Sequence, residues 1–303
     1  MNKIALLGAS GHIGKNIVKY FAKNEQTELY LFSRDKNKLK IFNEMFPGNS
    51  FNFFQNTNFK NLNYDVIINC AGISNPHEIS SLDQNLVSII VKNDDMVIDY
   101  LKKNTNSLFI NISSGAVFGE IFSNPSTQLS EIKPSNVVSQ NYYAKAKIQC
   151  ELKHRELTEL NIVDLRLFNF FSRYIDLNTD FFMSHVVSSL KNKKKFLTNN
   201  VDFKRDFIHP LDFGDLIEKC VIKHNLNSGF DVCSKKPISK FEILDLLYEK
   251  YHLNFEINDA SVSVSPTGLK KNYFSNSRKA LEIGYKPNYT SLETIVTEIQ
   301  FCL

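Results

Sequence analysis

Short apolar runs alternate with longer stretches of helical spacing through the first half of the chain. Residues 4–7 (Ile-Ala-Leu-Leu) read as a strand. Ile13, Ile17, Val18 and Phe21 then recur at the spacing of one helix face, running to about residue 23. Residues 28–32 form the next apolar run, and a charged helix is expected near residues 36–44. Strand 66–69, a long helix over about 83–102, strand 108–112, a helix over about 140–160 and strand 162–167 continue the series. Such alternation predicts an α/β fold, a doubly wound parallel sheet with helices on both faces. The second half is less regular, with helices expected over 181–190 and 240–251 among loops and short strands. No repeat or flexible linker separates the halves. Residues 1–170 are expected to form the main domain, with segments near 203–235 returning to it. Residues 171–303 are expected to form mainly a smaller substrate-binding lobe.

The turn between the first strand and first helix carries Gly8, Ala9, Ser10, Gly11, His12, Ile13 and Gly14. Strand, glycine turn and helix make the context in which glycines signal a Rossmann-type dinucleotide site. Gly8 and Gly11 allow a tight turn and let bare backbone approach a pyrophosphate, while Gly14 lets the helix pack close to the strand. The helix N-terminus offers N–H groups and a positive dipole end to phosphate. Ligands of such sheets bind beyond the carboxyl ends of the strands. Those ends here are Gly8, Ser33-Arg34, Cys70-Ala71-Gly72, Ser113-Ser114 and Phe168-Asn169, all rich in small or polar residues.

Composition narrows the class. With 36 basic and 32 acidic side chains the net charge is +4, too small to imply nucleic acid. The run Lys191-Asn192-Lys193-Lys194-Lys195 is expected to be a solvated loop or helix end. Five scattered cysteines without a Cys-x-x-Cys argue against disulfides and zinc and for a reducing compartment. No apolar stretch is long enough to span a bilayer, and no leader pattern precedes the first strand. A cytoplasmic protein without membrane or nucleic-acid partners is expected, and no metal site.

Tyr143 and Lys147 stand one helical turn apart, and of the 12 tyrosines only Tyr143 has a lysine four residues on. A phenol, with a reference pKa of about 10, is a poor proton donor and acceptor at neutral pH. A neighbouring ammonium favours the phenolate. Ser114, at the end of the preceding strand, could hold a substrate oxygen against the tyrosine. The three form a proton-transfer station suited to hydride chemistry.

In this order the motifs resemble the extended short-chain dehydrogenase/reductases, the NAD(P)-dependent group of nucleotide-sugar epimerases, dehydratases and ketoreductases. Residues 8–14 match the Gly-x-x-Gly-x-x-Gly loop, and residues 113–119 match the Ser-Ser-x-x-Val-Tyr-Gly segment with Phe118 in place of tyrosine. Tyr143 and Lys147 match the Tyr-x-x-x-Lys pair, followed by Glu151. Residues 165–169, the block 205–212 beginning Arg205-Asp206-Phe207-Ile208-His209, and residues 277–287 match in turn. The resemblance covers nearly the whole chain. It implies Tyr143 as acid/base, Ser114 as the residue polarising the substrate oxygen, and Lys147 as the ligand of the nicotinamide ribose. It implies Asn169 and Arg205 as substrate contacts, with Arg205 on phosphate. Ser10, His12, Ile13, Ser33, Arg34, Cys70, Ala71 and Gly72 join the glycines around the cofactor.

Ser33-Arg34 at the second strand end suits a 2′-phosphate, so NADP(H) is expected; were Asp35 the strand-end residue, NAD(H) would be favoured. Where relatives carry an adenine-binding aspartate, this chain has Phe53-Phe54-Gln55-Asn56. The Asp-Glu pair that the family's 4,6-dehydratases place after the catalytic hydroxyl residue is here Gly115-Ala116. NADPH-dependent reduction of a nucleotide-linked keto-sugar, a 4-keto sugar in the first instance, is therefore expected. The alternatives are an NAD-dependent nucleotide-sugar epimerase and a non-catalytic dinucleotide sensor. The partner is a nucleotide-diphosphate sugar. The two long helices near 83–102 and 140–160 are candidates for a homodimer contact.

Overall fold

The computed structural model describes residues 2–72, 82, 84–119, 122–136, 141–258 and 270–303. Asp83 and Gln140, at the expected starts of two helices, lie outside them.

Seven strands form one parallel sheet: β1 (Asn2–Leu7), β2 (Thr27–Ser33), β3 (Asn52–Gln55), β4 (Val66–Asn69), β5 (Leu108–Ser114), β6 (Asn161–Leu167) and, later in the chain, β11 (Asn227–Asp231). Their order is β11-β6-β5-β4-β1-β2-β3, so the two windings diverge between β1 and β4. Both faces are covered, which is why β4 and β5 are buried at every position and begin with apolar runs, residues 66–68 and 108–110. Successive side chains of β1 divide between the faces. Ile4 and Leu6 join a core with Ile17 and Phe21 of the helix His12–Phe21 and Phe213 and Leu216 of the helix Pro210–Lys223. Ala5 and Leu7 pack with Val97 and Leu101 of the helix Asn85–Leu101 on the other.

Short pairings build the second lobe: β7 (Asn169–Phe170) with β10 (Phe207–Ile208), β8 (Phe196–Thr198) with β13 (Phe255–Ile257), and β9 (Lys204–Arg205) with β12 (Ile238–Ser239) and β14 (Asn272–Tyr273). A separate core of Phe171, Val186, Leu247 and Ile295 holds its helices, Phe182–Lys191, Lys240–Tyr251 and Ser291–Ile299.

The sheet matches the expected architecture, and two local expectations are corrected. The charged helix near 36–44 is a 3₁₀ turn, Lys36–Leu39, followed by a short helix, Ile41–Met45. Asp35 starts that turn by accepting from Asn37 N at 2.9 Å, a local bond that competes with a continuous helix. The helix expected over 140–160 ends at Glu156, and Leu157 leaves the helical conformation.

A buried ion network ties that helix, Tyr142–Glu156, to the sheet. His154 is fully buried, with Nδ1 3.0 Å from Asp164 and Nε2 2.9 Å from Asp94. Asn111 of β5 donates to the same Asp164, and Arg155 reaches it at 2.9 Å. Burial alone would push His154 down, but the Asp164 and Asp94 carboxylates outweigh it and hold its pKa up at about 9, against an ordinary 6.5. Both ring nitrogens therefore donate at neutral pH.

A histidine raised on folding stabilises the fold fully below its unfolded pKa and loses that contribution as pH climbs through the folded value. We expect the difference in unfolding free energy between wild type and His154→Gln to be largest at or below about pH 6.5 and to shrink through about pH 9. Urea titrations across this range measure it, and a difference independent of pH would contradict the assignment.

Candidate active site

The glycine loop is shaped by backbone contacts. Gly8 has φ +79°, and a Cβ there would lie 2.6 Å from Ala71 N, so β1 and the β4 exit meet with no room for a side chain. A Cβ on Gly14 would lie 2.4 Å from the Gly8 carbonyl oxygen. At Gly11, which precedes the first helix in extended conformation, the nearest atom would be 3.3 Å away. Gly8 and Gly14 are thus required by the fold, whereas a Cβ at Gly11 would press only on the Gly8 carbonyl oxygen. The helix has no side-chain cap and no acidic residue in its first turn, leaving the N–H groups of His12, Ile13 and Gly14 to an anion.

The predicted cofactor residues gather here. Ser33 ends β2 and is buried, its Oγ 3.1 Å from Ser10 Oγ. Arg34 stands exposed just beyond it, while the Asp35 carboxylate is taken by Asn37 N. Cys70 donates Sγ–H to the Leu7 carbonyl at 3.0 Å, and burial pushes its thiol up to about 12, so it fastens β4 to β1 and is no nucleophile. Beyond it a Cβ at Gly72 would meet open space. Past the end of β3, Asn56 Oδ1 is buried without a hydrogen-bond partner, an orphan acceptor that an adenine amino group would satisfy. The residues present thus fit a nicotinamide adenine dinucleotide.

His12 shows how the loop is tied to the second lobe. Its Nε2 lies 2.8 Å from Ser172 Oγ, which also accepts from Asn16 Nδ2 and Tyr174 N. With both lone pairs occupied, the Ser172 hydroxyl donates to His12, whose proton therefore sits on Nδ1. Burial, then Lys15, pushes the His12 pKa down to about 4, consistent with a neutral ring.

The residues expected to transfer a proton gather near the end of β5. Ser114 Oγ accepts from Ala116 N at 3.2 Å and starts the 3₁₀ turn Gly115–Phe118. Tyr143 packs against Ala116 and Val117 of that turn. The Tyr142–Glu156 helix is capped by Asn141 Oδ1, which accepts from Ala144 N. Buried Lys147 donates Nζ to the Ile112 carbonyl at 2.7 Å and lies 5.9 Å from the Tyr143 ring centroid. One turn on, Glu151 accepts from Ser113 Oγ and from Arg166.

Tyr273 of β14 is a member of the site that sequence reasoning missed. It is buried, and its Oη lies 3.2 Å from Ser114 Oγ. Burial pushes its phenol well up, so the hydroxyl stays neutral. Asn169 donates Nδ2 to the Tyr273 carbonyl at 3.3 Å. The Arg205 guanidinium lies 5.9 Å from the same ring and 4.3 Å from Phe203. Its Nη1 donates to the Lys204 and Lys270 carbonyls, and among the described residues no carboxylate pairs with it. Burial pushes its pKa down to about 10. The fold so brings Ser114, Asn169 and Arg205 around one aromatic ring. His209 is structural: Nδ1 accepts from Leu211 N, and the ring stacks on Tyr289 at 3.7 Å.

A family model, NAD dependent epimerase/dehydratase family, matches residues 4–229. The chain belongs to that family. No curated protein matches it in sequence. Solved structures similar to it include UDP-glucose-4-epimerase from Stenotrophomonas maltophila with bound NAD and formylated UDP-arabinopyranose, at TM-score 0.83 and 13% identity, covering 100% of this chain and 98% of that one. UDP-N-acetylglucosamine 4-epimerase from Methanobrevibacter ruminantium M1, in complex with UDP-N-acetylmuramic acid, follows at TM-score 0.81 and 16% identity, over 99% and 97%. The dTDP-glucose 4,6-dehydratase of Bacillus anthracis in complex with NAD gives TM-score 0.78 and 17% identity, over 99% and 96%. At these identities the likeness shows the fold, and it runs along the whole chain.

As a member of an NAD-dependent family, the protein should separate its glycines by role. Gly14→Ala is expected to lower the melting temperature by several degrees, since its Cβ collides with backbone. Gly11→Ala should leave melting within about 2 °C of wild type and weaken dinucleotide binding. Thermal melts with calorimetric titration of NAD and NADP test this, and equal destabilisation by both variants would refute it.

Proposed function

We propose that the protein is a nucleotide-sugar epimerase that inverts a secondary alcohol on the sugar of a nucleoside diphosphate sugar by oxidation and re-reduction. The observation that carries this reading is Arg205, a buried guanidinium with no carboxylate partner among the described residues, near the ring whose hydroxyl touches Ser114. A cation so placed suits the diphosphate of a substrate whose sugar reaches the serine, because its planar fork matches phosphate oxygens. The bound nicotinamide supplies the hydride acceptor and donor. Tyr143 Oη takes the sugar hydroxyl's proton as the carbon is oxidised and returns it after the keto-sugar presents its other face. Ser114 Oγ holds the reacting oxygen, Lys147 holds the nicotinamide ribose, and Asn169 contacts the substrate. Water elimination fits less well: a Cβ at Gly115 would lie 2.3 Å from the Phe168 ring, leaving no room for an acid there. The similar epimerase structures weigh in the same direction.

The reading in which NADPH reduces a keto-sugar rests on a specific observation. Ser33 and Arg34 occupy the end of β2, and Asp35 is engaged with its own turn. That arrangement suits a 2′-phosphate. A homodimer through the Asn85–Leu101 and Tyr142–Glu156 helices belongs to the same proposal, with Ile89 and Leu152 exposed on them.

The test incubates the protein with UDP-hexoses and NAD, and separately with 4-keto-6-deoxy nucleotide sugars and NADPH. Epimerisation without net change in nicotinamide absorbance supports the main reading, and stoichiometric NADPH loss supports the second. Inertness in both, with dinucleotide still bound, would favour a sensor. Tyr143→Phe is expected to lower kcat by about 10³-fold with dinucleotide affinity retained.

A further inference from the structure

A cavity of about 230 Å³ opens along edge strand β11, lined by none of the residues assigned to cofactor or substrate. Arg155, Arg166, Lys279, Ser228, Ser130 and Asp231 line it. Arg166 is fully engaged, donating Nε to Glu151 and Nη1 to Asp231. It lies across β11 at Gly229, where a Cβ would be 2.4 Å from its Nη2. Arg155 gives Nη2 to Ile162 O and Asp164, while its Nε and Nη1 are buried without a partner. Lys279 donates Nζ to Ser228 Oγ at 2.7 Å, and among the described residues no carboxylate pairs with it. Burial, then the Arg166 and Arg155 guanidiniums, pushes the Lys279 ammonium down, with Glu282 and Asp231 opposing. Arg166 and Arg155 are balanced by Glu151, Asp231 and Asp164, so Lys279, which leans on a hydroxyl, is the cation of this lining that lacks a carboxylate among the described residues.

We propose that this cavity is a second anion site, which takes a phosphate group, free or as a monoester, on Lys279 with the Ser228 hydroxyl and the guanidiniums around it. Two observations suit a phosphate: Lys279 has no carboxylate among the described residues, and the same small cavity is lined by the hydroxyl residues Ser130, Ser228 and Ser277. The proposal is independent of the substrate assignment, because no lining residue is shared with that site. Its link to the reacting centre runs through Arg166, whose partner Glu151 accepts from Ser113, the neighbour of Ser114.

The test is calorimetric titration of inorganic phosphate into the full chain saturated with NAD, beside Lys279→Gln, Ser228→Ala and Arg205→Gln. The expected result is a saturable phosphate site weakened at least about tenfold by Lys279→Gln, weakened in the same direction by Ser228→Ala, and kept in Arg205→Gln, which removes only phosphate held at the substrate site. Absence of saturable binding, wild-type affinity in Lys279→Gln, or loss in Arg205→Gln each overturns it. Should Lys279→Gln fail to fold, Ser228→Ala alone decides, by the same criterion against Arg205→Gln. Glucose 1-phosphate run in parallel separates the sources: tighter binding than inorganic phosphate identifies a monoester, and equal or weaker binding identifies the free ion.

Discussion

The bond from Lys147 Nζ to the Ile112 carbonyl, 2.7 Å long and buried, fixes the helix bearing Tyr143 against the strand bearing Ser114. An ammonium is costly to bury, so its one strong acceptor sets where the helix can lie along β5. The Glu151–Ser113 contact repeats the fastening one turn on, and His154 with Asp164 repeats it again one turn beyond. Three turns of one helix are therefore in register with the sheet through side chains that the fold must satisfy. Proton transfer demands placement to within a fraction of an ångström. Here the same polar contacts that stabilise the domain provide it.

Paired and unpaired cations divide the molecule in a useful way. Arg173 reaches Glu298 at 2.6 Å, Lys153 reaches Asp94 at 2.6 Å, and Arg166 holds two carboxylates. These pairs bind elements of this chain to one another. Arg205 has carbonyls and aromatic rings but no anion among the described residues, although it is equally buried. Burying a charge without its counterpart is among the more expensive arrangements a fold can make. Its retention is accounted for when the missing anion arrives with a ligand. The same argument separates Lys279 from its neighbours on the far edge of the sheet.

Local patterns carried most of the fold. β4 was readable because three consecutive apolar side chains, Val66, Ile67 and Ile68, end at Asn69 and a Cys-Ala-Gly stretch, the pattern of a short strand covered on both faces. The glycine loop was readable because its glycines follow strand 4–7 and open a helical pattern; Gly14 answers to backbone six residues back, whereas the collision that fixes Gly8, with Ala71, lies far along the chain. Tyr273 was not, since it meets Ser114 across 159 residues and no local rule ties a tyrosine in a short strand to a distant serine. The segment 36–44 misled because its spacing is helical while Asp35 satisfies a 3₁₀ turn first. What the sequence withheld was mostly the identity of partners: Ser172 for His12, Glu151 for Ser113, and backbone carbonyls rather than a carboxylate for Arg205 among the described residues.

That absence of local rules bears on the cofactor. An acidic residue at the end of β2 would hold an adenosine ribose through its 2′-hydroxyl. For Asp35 to do so it must release Asn37 N, at a cost of about 1 kcal/mol for a lost cap. Ser33 is already in place, but it is buried and shared with Ser10. The β2 end thus presents a hydroxyl and a neighbouring guanidinium, while its nearest carboxylate is engaged in its own turn. Affinity for the dinucleotide must then come from the glycine cradle, the open first turn of the helix and Asn56, all of which are indifferent to a 2′-phosphate. Cofactor choice and reaction type are consequently separable in this chain. The cradle sets how tightly a dinucleotide is held, and tight retention is what an epimerase requires, whichever ribose the strand end accepts.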